Sequence, residues 1–193
     1  MEDERTYTAF AGEKIIVSGP LETVLPEVKK RFDEGEVSTI LFEDQTGQQV
    51  DFELRGPVSE VLARALPAPP RTGPGRPKLG VVSREVSLLP RHWAWLEQQR
   101  NGASAALRRL VDQARKQDPD SQRGRLAMDA ANRFMSAVAG NLPGYEEACR
   151  ALYAANRTHF EDQIRNWSHD IRVHAQRLAE PAFSDVVNNP AVG

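Results

Sequence analysis

Apolar residues recur along this chain with two different periods. Val50, Phe52 and Leu54 alternate with Asp51, Glu53 and Arg55. A period of two predicts a strand with one face buried and the other wet. Residues 14–17, Lys-Ile-Ile-Val, lie between Gly12 and Ser18-Gly19-Pro20 and predict another short strand; so do residues 39–42, Thr-Ile-Leu-Phe. Asp44-Gln45-Thr46-Gly47 is turn chemistry, which makes the last two strands a hairpin. Leu21, Val24, Leu25, Val28 and Phe32 keep helical spacing, with Pro26 in conflict. Either the helix begins near Pro26 or it kinks there. Residues 57–66 predict one more short helix.

The pattern then breaks. Residues 66–78 hold five prolines in thirteen positions, a composition that builds neither helix nor central strand. A domain boundary is placed here. Val82, Val86 and Leu88 share one side of a predicted strand over residues 82–89, which Pro90 ends. Proline also suits the first turn of a helix, here residues 91–100, with Trp93 and Leu96 on one face. Trp93 and Trp95, two apart, cannot both face one way, so one of them is expected against a dimer partner or another domain. Asn101-Gly102 breaks that helix. Ser104 is the expected cap of the next, whose stripe is Leu107, Leu110, Val111 and Ala114.

The remainder reads as helical. Ala127, Ala131, Phe134 and Val138 form one stripe, and residues 140–144 a stop and turn. Residues 146–155 are a short helix. Phe160, Ile164, Trp167, Ile171 and Leu178 make the cleanest amphipathic pattern in the chain. The fold class is therefore α+β. A small α+β domain (1–66) precedes a Pro/Gly-rich basic linker (67–80), then a strand-helix-helix segment (81–117), a helical region (118–182) and a flexible tail (183–193).

Charge sharpens this division. Of 193 residues 27% are charged, yet the net charge is only −2. Residues 1–60 carry 14 acids against 6 bases, net −8; residues 61–120 carry 11 bases against 5 acids, net +6; the rest is neutral. Such asymmetry points the middle segment towards a polyanion, or towards an acidic face of its own chain. No apolar run reaches the roughly 18 residues of a membrane span. The start, MEDERTY, is acidic and lacks the apolar core of a secretory leader, and a single cysteine, Cys149, cannot form an internal disulfide. A cytoplasmic protein is expected.

Strand, helix, turn and helix within forty residues bury too little to stand alone, and one strand has two open edges. A two-fold dimer with antiparallel paired strands repairs both defects. This layout resembles ribbon-helix-helix DNA-binding domains, the class of the methionine and Arc repressors. The matching residues are Arg84-Glu85-Val86-Ser87-Leu88-Leu89-Pro90, Trp93 and Leu96, Gly102-Ala103-Ser104, and residues 107–111. The resemblance implies a double ribbon in the major groove. With Val86 and Leu88 inward, Ser83, Glu85 and Ser87 face the bases. A slip by one residue turns Arg84 outward together with Val86 and Leu88. Helix-two N–H groups at Ser104 would meet a phosphate, and Arg91, Arg108 and Arg109 would be phosphate contacts or surface ion pairs. Ahead of it, Pro74-Gly75-Arg76-Pro77-Lys78 resembles the Gly-Arg-Pro core of AT-hook peptides, which implies Arg76, with Lys78 beside it, in a narrow A·T minor groove.

Over nearly its whole length the chain resembles an uncharacterised bacterial family, a domain of unknown function. The segments are residues 42–47, 75–81, Leu88-Leu89-Pro90-Arg91-His92-Trp93, Arg133-Phe134-Met135 and Leu142-Pro143-Gly144. It implies no activity.

No nucleotide loop, nucleophile elbow or paired-carboxylate signature is present. His159, His169 and His174 fall on one predicted helix at spacings that miss the i, i+4 pair of metal helices. His92 reads as packing or a phosphate contact, His174 as a structural histidine on the apolar stripe, and Cys149 as core. No cofactor, metal or catalytic residue is expected. The reading is a dimeric duplex-DNA-binding regulator, with an unknown protein or small-molecule effector left open for the flanking regions. The competing reading is a non-enzymatic interaction module with an acidic N-terminal domain.

Overall fold

The computed structural model describes residues 5–36, 38–66, 82, 84–117 and 119–184. Two compact units divide the chain: residues 1–68 with 120–193, and residues 69–119. The segments that the sequence separates as 1–66 and 118–182 thus share one unit from residue 120 onwards.

In that first unit four strands form one antiparallel sheet in the order β2-β1-β3-β4. They are β1 (Tyr7–Ala11), β2 (Lys14–Gly19), β3 (Thr39–Glu43) and β4 (Gln48–Val50). The hairpin of β3 and β4 turns at residues 44–47 as expected, but β4 ends at Val50. The alternation of Phe52 and Leu54 packs side chains without extending the ladder. Central β1 has no counterpart in the sequence reading. Opposite it, Ala9 pairs with Val17 and Phe10 with Ile15, so Ile16 is an extra, bulged residue.

Both faces of the sheet are covered. Tyr7, Ala9 and Leu41 pack on α1 (Leu21–Asp33) and on Val61 of α2 (Val58–Ala65). Helix α1 starts at Leu21 and runs through Pro26. Phe10 and Phe42, on the other face, enter a larger core with α5 (Pro119–Ala139), α6 (Tyr145–Tyr153), α7 (Arg157–Ile164) and α8 (His169–Ser184). Phe10, Phe42 and Phe134 meet with ring centroids 5.1–6.0 Å apart. Such aromatic contacts add about 1 kcal/mol each beyond burial. The Ile15 amide donates to Asp170 Oδ2 at 2.9 Å, tying β2 to the start of α8.

Three sequence readings are corrected here. His159 lies on α7, whereas His169 and His174 lie on α8, so the three histidines do not share a helix. Phe183 and Ser184, assigned to the tail, continue α8, and Phe183 is buried. Cys149 is half-buried rather than fully core, its Sγ 3.3 Å from Asn132 Oδ1. The stripe from Phe160 to Leu178 is buried at every position named.

Candidate nucleic-acid interface

The second unit carries the strand-helix-helix segment. Val82 and residues 84–89 make no strand within the chain, and the four-stranded sheet contains none of them. Leu89 and Pro90 start α3 (Pro90–Glu97), with proline in the first turn, where its missing N–H costs nothing. The helix stops three residues short of Arg100. Asn101 and Gly102 then take φ of +74° and +78°, the left-handed conformation that glycine, and less readily asparagine, adopts. Helix α4 (Gly102–Gln117) begins two residues before Ser104. Ser104 therefore sits in the first turn, and the left-handed turn rather than a serine cap sets the start.

The helices α3 and α4 pack through Leu96 and Ala106, both buried. Beside this seam lies an apolar groove of about 500 Å³ lined by Leu88, Trp95, Leu96, Leu107 and Leu110, with Arg91 and His92 at its edge. Trp95 is 47% exposed, Val86 54% and Val111 55%. Of the twelve large apolar side chains that stand exposed among the described residues, seven lie between 82 and 111. That concentration is unlike the scattered apolar residues of an ordinary surface.

The polar candidates share this region. Arg84, Glu85 and Ser87 are exposed ahead of α3, Arg91 on its first turn, and Ser104, Arg108 and Arg109 on α4. Arg109 donates to Gln99 Oε1 at 3.4 Å, which leans one guanidinium towards the inter-helix turn. Arg100, not singled out by the sequence, is exposed in that same turn. Between residues 82 and 116 there are seven bases and three acids. Arg76, Lys78 and Ser83 lie outside the described residues.

Elsewhere in the described residues no group of three or more His, Cys, Asp or Glu side chains is placed to hold a metal ion. No helix there is long and apolar enough to cross a membrane. A polar cluster that sequence reasoning missed lies in the first unit, where Thr8, Asp44, His174 and Arg177 converge. Only the burial of His174 was legible.

No curated protein and no solved structure matches the chain. A family model described as an uncharacterized protein conserved in bacteria (DUF2239) matches residues 6–179. Spanning both units, that match makes the chain a member of this bacterial family.

Proposed function

We propose that the segment 81–117 pairs with its copy in a second chain and binds duplex DNA, as a dimeric transcriptional regulator. The observation that carries this reading is the coincidence, within some thirty residues, of most of the large apolar side chains exposed among the described residues and an excess of exposed arginine. Apolar exposure on this scale favours a protein partner, and a stretch whose described residues, 84–89, join no strand of their own chain favours its own copy. The positive charge then falls on both halves of the pair, which suits a phosphate backbone. Arg84, Arg91, Arg108 and Arg109 would supply backbone contacts, Ser83, Glu85 and Ser87 base contacts, and Arg76 with Lys78 the minor-groove arm.

Glu85 favours the second reading, a module that dimerises without DNA, because a carboxylate facing phosphates weakens binding. Fluorescence anisotropy on an A·T-rich duplex at low salt, with size exclusion of the free protein, separates the two. A dimer whose affinity falls steeply with salt, and falls further in Arg76→Ala, supports the regulator. A dimer indifferent to duplex supports the module, and a monomer removes both.

A further inference from the structure

The polar cluster in the first unit has no part in the DNA reading. Asp44, just beyond β3, accepts the Thr8 hydroxyl at Oδ1 and the Thr6 hydroxyl and Arg177 guanidinium at Oδ2, each at 2.9 Å. Arg177 reaches Thr8 Oγ1 at 2.9 Å and His174 Nδ1 at 3.0 Å through the same nitrogen. Ser18, on neighbouring β2, donates to Thr8 at 3.0 Å. The cluster therefore cross-links two strands and a turn to α8. His174 is 1% exposed and wedged between Phe134 and Phe10, with ring centroids at 4.4 and 5.3 Å.

The protonation state of His174 follows from its partners. A guanidinium only donates, so Nδ1 accepts, and the proton of the neutral ring sits on Nε2. Nε2 is buried without a hydrogen-bond partner, 3.7 Å from Asp44 Oδ1. A second proton, on Nδ1, would set one donor against another at 3.0 Å and one cation beside another. The two phenyl rings hold the imidazole. Arg177, whose side chain is half exposed, is the group free to leave.

We propose that His174 makes the joint between sheet and α8 an acid-released latch, closed around the neutral ring and opened by uptake of one proton. The charged groups facing His174 are Asp44 from the turn after β3 and Arg177 from α8; β1 and α5 present Phe10 and Phe134, which do not titrate. Burial and then Arg177 push the imidazole down to about 4, against the opposing pull of Asp44. When the proton enters, Arg177 withdraws from Asp44 and Thr8, and α8 loses that part of its polar hold on the sheet, keeping the Ile15–Asp170 bond at its start. This latch stands apart from the DNA reading and survives its failure.

The test uses the full chain. NMR titration of the four histidine rings, with amide protection factors measured from pH 7 to 4, follows both the proton and the joint. The expected result is His174 titrating at about 4, well below the ordinary imidazole value of 6.5. Protection of the α8 amides then falls as pH drops towards 4, by at most tenfold per pH unit, the limiting slope of a one-proton opening. His174→Gln, whose side-chain carbonyl can still accept from Arg177, is expected to hold protection flat over that range. A His174 that titrates near its ordinary value of 6.5 overturns the proposal. So does a His174→Gln chain that opens as the wild type does. Should the variant not fold, the wild-type ring titration decides.

Discussion

Gly47 and Ala130 meet backbone to backbone. A Cβ built on Gly47 would lie 1.9 Å from the Ala130 carbonyl oxygen, and Gly47 holds φ at +65°. The β3–β4 turn thus lies directly on α5, and Arg133 on the next turn of the helix donates to Thr46 O at 2.9 Å. Gly47→Ala meets both a steric wall and a left-handed backbone. A loss of at least about 2 kcal/mol is expected in urea unfolding. Gly12→Ala has no neighbouring atom within 4 Å, so it carries the backbone strain alone and should cost less.

Phe134 touches Phe10, Phe42 and His174, joining the sheet to two helices. Phe134→Ala should cost about 3–5 kcal/mol, the range for deleting a buried aromatic ring. Thermal unfolding followed by circular dichroism reads the shift directly.

Stability should fall with acid because His174 is held neutral in the fold. Its ordinary value is 6.5 and the folded value about 4. Between these values the unfolded chain binds more protons than the folded one, so stability falls as pH drops from 6.5 towards 4. The fall amounts to about 3 kcal/mol. Above pH 6.5 the ring is neutral in both states and contributes no slope. Urea midpoints measured at half-unit pH steps on wild type and His174→Gln check this, the variant lacking that component.

Leu110 stands 39% exposed at the edge of the α3–α4 groove. On the proposed dimer, Leu110→Asp should leave helix content unchanged while moving the protein towards monomer in size exclusion. A buried unpaired carboxylate at a dimer seam costs several kcal/mol.

If segment 81–117 binds duplex as proposed, Arg108→Ala and Arg109→Ala should each weaken that binding about equally across sequences and lower the salt slope by roughly one. Anisotropy titrations at three salt concentrations give both quantities.

The helices of this fold were legible because their stripes are single and long. Strand β1 was not, since Thr8, Ala9 and Phe10 are all fully buried and a strand covered on both faces loses its period of two. The break between α7 and α8 was hidden for the opposite reason. Phe160, Ile164, Trp167 and Ile171 keep spacings of four, three and four straight across it. Within the candidate interface, the helices and the turn at Asn101-Gly102 were legible, while the cap at Ser104 was not, because a left-handed glycine starts α4 instead. In the polar cluster, Arg177 meets Asp44 across 133 residues of chain, a separation that no local pattern encodes.

Because the first unit is assembled from residues before 69 and after 119, its larger core cannot close until the later segment has been made. Phe10 and Phe42 emerge early, but Phe134, Ile171 and Phe183 follow about a hundred residues or more later. At ordinary rates of translation that interval is on the order of ten seconds. During it the sheet face carrying Phe10 and Phe42 lacks the helices that cover it in the finished fold.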